Sequence, residues 1–156
     1  MPVIKIHTII NAPVERCFLL SLSVDLHKDS VSQTKEEAVA GVTTGLMQLN
    51  DTVTWQANHF GFGLSMTSKI AAYEKPVYFV SEMIKGPFKK LHHRHLFKEE
   101  NGQTVMTDLF ELKATLGVLG RLAEKWFLVK YMERFLLIRN RHIKNTAEGT
   151  DWSKYL

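Results

Sequence analysis

The sequence contains a single cysteine, Cys17, among 156 residues. One cysteine cannot form an intramolecular disulfide, and it excludes a zinc or iron–sulfur site built from four thiolates. No run of 18 uncharged apolar residues is present, so the sequence has no candidate transmembrane helix. The N-terminal residues lack a basic segment followed by an apolar run and a small-residue cleavage site, so a signal peptide is not expected. A reducing, cytoplasmic location is the expectation that follows.

An excess of charge of one sign is also nearly absent. The 20 Lys and Arg against 16 Asp and Glu give a formal net charge of +4. This excess is too small to indicate nucleic-acid binding, although it permits transient contact with an anionic membrane surface. No linker, repeat or low-complexity tract divides the chain, and no pattern indicates an oligomeric state. The length and the 45% hydrophobic content therefore predict one domain over residues 1–148, followed by a short C-terminal tail over residues 149–156.

Hydrophobic periodicity divides the chain into a strand, two short helices, a run of strands and a long helix. Residues 3–10 alternate as a strand, and Asn11 is predicted to be the N-cap of a helix over about 12–22. A second short helix is predicted from Asp25 to about Thr34. Glycine-, proline- and asparagine-containing turns separate the following strands, which is typical of an antiparallel meander. These strands are predicted at 37–40, 51–60, 63–73, 77–84, 89–99 and 103–113.

The last third of the sequence predicts one long amphipathic helix, from about Gly117 to Ala147. A long apolar stripe must be buried, and the apolar face of the sheet is the large surface available for it. The fold class is therefore α+β: a curved antiparallel sheet in the order β-α-α-β6, wrapped around a C-terminal helix. The apolar positions of the stripe are 119, 122, 126, 129 and 132, and also 128, 131, 135 and 138.

Two hairpin turns predict which side chains share the inner face of the sheet. Asn101-Gly102 is typical of a two-residue type I′ turn, and Gly61-Phe62 is a candidate tip for another hairpin. Each turn sets a pairing register, and the register sets the face of every side chain. The predicted opposite pairs include His95 with Asp108 and Trp55 with Ser68.

The inward face and the C-terminal helix together predict one continuous cavity. Strand parity places the sheet residues, and the apolar stripe places the helical ones. The candidate ligand-binding residues are Trp55, His59, Met66, Phe79, Met83, His93, His95, Asp108, Phe110, Leu122 and Trp126.

Histidines and an aspartate occupy positions on this face where apolar residues would be expected. Because an ionised Asp108 cannot be buried cheaply without a partner, His95 is its predicted hydrogen-bond partner. The pair has three interpretations: a self-satisfied pair that sets the register, an anchor for a ligand oxygen, or part of a metal site with His93. No independent ligand spacing supports the metal site, so neither a metal nor a cofactor is predicted.

The order of elements and several short motifs resemble the helix-grip fold of the START, polyketide-cyclase and birch-pollen-allergen superfamily (SRPBCC). The motifs look like those of a bacterial branch of small stand-alone ligand-binding proteins, some of which carry the label "cell division inhibitor". The resemblance covers nearly the whole chain. Its motifs are DLH at 25–27, TWQANHFG at 54–61, GPF at 86–88, HRHLF at 93–97, TVMTD at 104–108 and LGVLG at 116–120.

The resemblance implies a hydrophobic tunnel between the sheet and the C-terminal helix. It implies small apolar or amphipathic ligands such as lipids, isoprenoids or polyketide-like aromatics, and it supplies no catalytic residue. Leu91 stands where some members of the branch have an aromatic residue. Gln56 and Asn58 stand where that segment carries basic residues.

Three functional hypotheses follow. The leading one is a non-enzymatic protein that binds a small hydrophobic molecule. The second is an enzyme of the cyclase, dehydratase or hydrolase type that uses His95 and Asp108 as an acid/base pair. The third is an interaction module whose cavity has collapsed into ordinary core, which a cavity smaller than about 300 Å³ would favour.

Overall fold

The structure, a computed structural model, describes residues 3–59, 62–114 and 127–156, without the side chains of Gln33, His59 and Phe62. The predicted order, one strand, two short helices, six strands and a C-terminal helix, is confirmed for these residues. The elements are β1 (Val3–Ile10), α1 (Val14–Ser21), α2 (Val24–Ser30), a 3-10 turn (Ser32–Thr34), β2 (Glu37–Gly41), β3 (Thr52–His59), β4 (Phe62–Glu74), β5 (Tyr78–Lys85), β6 (Lys90–Glu100), β7 (Gln103–Lys113), α3 (Val129–Glu148) and a final 3-10 turn (Asp151–Lys154). The predicted helical residues before 127 lie outside the described part.

The strands form one seven-stranded sheet in the order β1-β7-β6-β5-β4-β3-β2. Every neighbouring pair is antiparallel. Register shifts interrupt the β2–β3 and β4–β5 pairs. Such irregularities increase the local bend and twist of a strand, and they help to curve the sheet around the helical layer.

The two hairpin predictions have different outcomes. In β6–β7 the register is confirmed: Asn101 and Gly102 have φ angles of 53° and 77°, as a type I′ turn requires, and His95 lies opposite Asp108. In β3–β4 the predicted register is wrong by two residues, since Trp55 lies opposite Met66. A shift of two residues leaves every side chain on its predicted face, because side chains alternate with a period of two.

The predicted helix start at Asn11 is wrong. Helix α1 begins at Val14 after Pro13, and no side chain caps it. Proline has no N–H to satisfy and a fixed φ, so it suits this position without a capping side chain. The backbone N–H of Asn11 instead donates to Oε2 of Glu148 at 2.7 Å. This bond joins the end of β1 to the last turn of α3.

The helices cover one face of the sheet and bury two hydrophobic clusters. The larger cluster lies around Phe18, and Trp152 and Tyr155 of the last residues pack against it. The smaller cluster joins the first turns of α3 to β1, β6 and β7. Among the described residues, none of the helices combines the length and apolarity needed to cross a bilayer.

The buried face of α3 is rotated from the predicted stripe. Ile138, predicted to be part of the stripe, is 37% exposed, and three polar residues take part in the buried face. The buried residues of α3 are Phe135, Leu136, Arg139, Asn140, Ile143, Thr146 and Ala147. The helix therefore carries a guanidinium and an amide into the interior.

Candidate ligand-binding site

A cavity of about 190 Å³ lies between the inner face of the sheet and the helical layer. Its walls are mainly apolar, and they come from β3, β4, β5, β6, β7 and α3 as well as from the segment joining α1 to α2. Among the apolar side chains that line it are Val53, Trp55, Met66, Ile70, Phe79 and Phe135.

The structure brings most of the predicted site residues together. Met83 packs against the smaller hydrophobic cluster, as Met66 does. Asp108 is fully buried behind the cavity wall. The side chain of His59, together with Leu122 and Trp126, lies outside the described part. Those that line the cavity are Trp55, Met66, Phe79, His93, His95 and Phe110.

Asp108 is the centre of a buried polar cluster. Its Oδ1 accepts a hydrogen bond from Nε2 of His93 at 2.7 Å, and its Oδ2 accepts one from Nδ2 of Asn140 at 2.7 Å. Nη1 of Arg139 lies 3.5 Å from Oδ1. Nδ1 of His95, the predicted hydrogen-bond partner, lies 3.4 Å from Oδ1. The short bond nevertheless goes to His93, a diagonal neighbour within reach of a long side chain.

The cluster holds one negative and one positive charge. Burial by itself would raise the pKa of Asp108, but the hydrogen bond from His93, the nearby imidazole of His95 and the charge of Arg139 hold it well below its ordinary value. Burial lowers the pKa of Arg139, while the charge of Asp108 raises it. A guanidinium stays protonated at neutral pH. The two charges therefore compensate each other inside the protein.

Both histidines are neutral at pH 7. Burial lowers the pKa of His93, and burial, together with the repulsion between two protonated imidazoles at this distance, lowers that of His95 well below its ordinary value. A neutral imidazole donates from one nitrogen and accepts with the other. His93 donates from Nε2 to Asp108, so its Nδ1 is an acceptor. Nη2 of Arg139, which can only donate, lies 3.5 Å from Nδ1 of His95, and this contact assigns the proton of His95 to Nε2.

The remaining two imidazole nitrogens are available to a ligand. In residues 3–59, 62–114 and 127–156, every buried side-chain nitrogen or oxygen has a hydrogen-bond partner. Nδ1 of His93 and Nε2 of His95 make no hydrogen bond to these residues. Since an atom without a partner is never fully buried here, both nitrogens keep some accessible surface. Both residues line the cavity. Their rings stack with centroids 3.7 Å apart. The cavity wall therefore offers one acceptor and one donor from two adjacent rings.

The same side chains could be considered as metal ligands. His93, His95 and Asp108 can bring three ligand atoms within 4.8 Å of one another. However, Arg139 and Asn140 already contact the carboxylate oxygens, and the guanidinium would repel a cation. The arrangement suits a hydrogen-bonded cluster better than a metal centre.

Arg139 and Asn140 are not among the site residues predicted from the sequence. A usable signal was present, because Phe135, Arg139 and Ile143 follow one another at a spacing of four residues on one face of α3. A polar residue between two buried apolar ones at that spacing indicates a buried partner for another polar group.

Comparisons with known proteins agree on the fold. No protein-family model matches the sequence, and no curated protein sequence matches it. The structure of TTHA0849 from Thermus thermophilus has a TM-score of 0.72 and 17% identity, covering 91% of this chain and 97% of that one. The Zhui aromatase/cyclase from Streptomyces sp. R1128 has a TM-score of 0.70 and 16% identity, covering 94% and 93%. A START superfamily protein from Mycobacterium smegmatis has a TM-score of 0.69 and 11% identity, covering 94% and 97%. At these identities the likeness shows a shared fold.

Proposed function

We propose that this chain, which has the helix-grip fold of the START, polyketide-cyclase and birch-pollen-allergen superfamily, binds a small apolar molecule through one oxygen atom and does not transform it. The observation that supports this proposal is the pair of imidazole nitrogens on the wall of an otherwise mainly apolar cavity. A hydroxyl group both donates and accepts, so one phenol or alcohol oxygen can satisfy Nδ1 of His93 and Nε2 of His95 together. The apolar walls then bury the rest of the molecule.

The size of the cavity restricts the ligand. A volume of about 190 Å³ is slightly larger than the roughly 150 Å³ that holds one benzene molecule. The ligand is therefore the size of one substituted ring or a short branched chain, at the small end of the expected lipids, isoprenoids and polyketide-like aromatics. The single cysteine and the small net charge further support a cytoplasmic protein whose partner is a small molecule rather than a nucleic acid.

A titration with 4-ethylphenol tests this function. We expect saturable binding to the wild-type protein, measured by calorimetry and by the fluorescence of Trp55, which lines the cavity. His95→Phe keeps a flat ring on Phe79, whose centroid lies 4.1 Å from that of His95, but removes the donor. Loss of one such hydrogen bond should weaken binding about tenfold. His92→Phe, on the other face of β6, is the matched control.

The volume also favours the third hypothesis, because it lies below the roughly 300 Å³ at which ligand sites usually begin. Native mass spectrometry of the protein purified from its own host separates the two. A co-purifying small molecule supports ligand binding. A ligand-free protein that also fails to bind 4-ethylphenol would indicate an interaction module with a small unfilled core.

One feature favours an enzyme as a second candidate. Asp108 holds Nε2–H of His93 while Nδ1 lines the cavity, which is how a carboxylate orients a general base. The acid/base pair is thus His93 with Asp108, rather than His95 with Asp108. We would follow the exchange of α-hydrogens of 4-phenylbutan-2-one for deuterium in D₂O. Exchange above the buffer rate that disappears in Asp108→Asn would support catalysis, and exchange at the buffer rate would support binding alone.

A further inference from the structure

A second polar pair, Glu36 with His27, lines the same cavity. Glu36 precedes β2, and its Oε2 lies 2.8 Å from Nε2 of His27 on α2. Glu36 is only 9% exposed. The ring of His27 packs against Trp55, with centroids 4.5 Å apart. A carboxylate on the wall of an apolar cavity is costly unless hydrogen-bond donors surround it.

This pair lies away from the His93–His95 wall. Trp55, which contacts His27, is on β3, and the two histidines are on β6, with β5 and β4 between them. Three steps between adjacent strands amount to about 14 Å along the sheet, and the curvature shortens the direct path. Met66 and Ile70 on β4 and Phe79 on β5 line the cavity between the two walls. A molecule that reaches both walls is elongated and apolar in its middle.

The two walls suit different hydrogen-bonding groups: the imidazole pair suits an oxygen that both donates and accepts, whereas the Glu36 carboxylate suits a donor. Arg139 lies 3.5 Å behind Nδ1 of His95, and its charge strengthens Nε2–H as a donor toward a ligand oxygen. Glu36 presents a carboxylate, which only accepts. Burial, and to a smaller extent the negative charge of Glu36, raises the pKa of Tyr131. The field of the Glu36 carboxylate therefore reaches α3, on which Tyr131 lies. A carboxylate has about four lone-pair positions, so Glu36 can accept from a ligand in addition to its partners within the protein, of which His27 is one.

We propose that the ligand carries two polar groups: an oxygen held by His93 and His95, and a distal hydrogen-bond donor such as a hydroxyl, held by Glu36. This inference rests on the proposed binding function and specifies its ligand class. The ligand is a one-ring or short-chain molecule with polar groups at both ends and an apolar middle.

Two phenols that differ in one distal oxygen test the inference. 4-Ethylphenol and 4-(2-hydroxyethyl)phenol share the ring and the phenolic hydroxyl. The wild-type protein should bind the hydroxyethyl compound at least as tightly as 4-ethylphenol. Glu36→Leu should weaken the hydroxyethyl compound about tenfold, the loss expected for one bond to a charged acceptor, and leave 4-ethylphenol within about threefold. Glu36→Gln keeps an acceptor oxygen, so its affinity for the hydroxyethyl compound should lie between those of the wild type and Glu36→Leu.

Glu37→Leu is the matched control, because Glu37 is exposed and lines no part of this cavity. Equal losses for both phenols in Glu36→Leu, or no loss for the hydroxyethyl compound, would overturn the inference and leave the imidazole anchor in place. If neither phenol binds the wild-type protein, the proposed function fails, and the inference fails with it. If Glu36→Leu does not fold, the same comparison in Glu36→Gln decides, with a selective loss of about threefold expected.

Discussion

At the scale of single residues, Asp108 shows the conditions under which a carboxylate can be fully buried. It is 0% exposed, and His93, Asn140 and Arg139 contact its two oxygens. Burial of an ion pair is tolerated when hydrogen bonds satisfy the remaining lone pairs and protons. Removing one member of this cluster therefore leaves its partners buried without a counter-charge or a hydrogen bond.

Substitutions of Asp108 should differ in stability according to which buried groups they leave without a partner. Asp108→Ala should lower the free energy of unfolding by about 3–5 kcal/mol, since Arg139 is then a buried unpaired charge. Asp108→Asn keeps an acceptor oxygen and should cost less. Asp108→Leu should cost as much as Asp108→Ala for the same reason. Urea unfolding of the three variants at pH 7 measures the order.

The double variant Asp108→Leu/Arg139→Met is the control for this prediction. Both charges are removed together, and replacing a complete buried ion pair with apolar side chains is often neutral or favourable. The double variant should therefore be more stable than Asp108→Leu alone. Wild-type stability in Asp108→Leu alone would contradict the role of Arg139 as the counter-charge.

The buried histidines predict a loss of stability in mild acid. Burial holds the pKa of His93 and His95 below their ordinary value of 6.5, whereas the unfolded chain titrates near that value. Below about pH 6.5 the unfolded chain binds more protons, so the free energy of unfolding falls, by up to about 2.7 kcal/mol per pH unit for two such groups. Burial would raise the pKa of Asp108, but its hydrogen bonds outweigh burial, so a further loss follows below about pH 3.8.

Urea midpoints between pH 7 and pH 5 check the first part of this dependence. His95→Gln removes one titrating group and should reduce the slope, and His92→Gln on the opposite face of β6 is the matched control. A midpoint that stays constant from pH 7 to pH 5 would show that the two imidazoles are not held neutral by the fold.

At the scale of elements, the β6–β7 hairpin is set by its own turn. Asn101 and Gly102 both have positive φ angles, which asparagine and glycine tolerate better than other residues. Their conformation matches the twist of the strands and gives the register in which His95 and Asp108 are opposite.

Gly102→Ala should destabilise the protein by about 1–2 kcal/mol, because an L side chain is strained at a φ of 77°. No atom would clash with the added methyl group, since nothing lies within 4 Å of it among the described atoms. The loss of stability, measured as the change in urea midpoint, therefore reports the backbone strain alone. Asn101→Gly should be close to neutral, and a neutral Gly102→Ala would contradict the turn assignment.

At the scale of the whole molecule, the cavity is the feature on which function depends. It lies between the inner face of the curved sheet and the helical layer, and its volume of about 190 Å³ is small compared with the packed core around it. A change of a few methyl groups on its wall is therefore a large change in the space for a ligand.

Ala57→Leu should fill part of this space. Ala57 is 8% exposed and lines the cavity. Filling a cavity commonly adds about 0.5–2 kcal/mol of stability, and we expect the affinity for 4-ethylphenol to fall at least about tenfold, the equivalent of about 1.4 kcal/mol. Gln56→Leu on the exposed face of β3 is the control. Unchanged affinity in Ala57→Leu would place the ligand elsewhere.

Periodicity and turn chemistry are local signals, and from them alone the order of the elements and the faces of β1, β3, β4, β6 and β7 could be predicted. The β6–β7 register followed from two turn residues, and the β3–β4 register was wrong by two residues while its parity survived. Which polar groups meet in the interior depends on the packing of the helices on the sheet. Arg139 and Asn140 reach Asp108 through the rotation of α3 about its axis, and the cavity volume depends on how closely two layers pack. Both depend on the approach of distant segments, which no local pattern specifies.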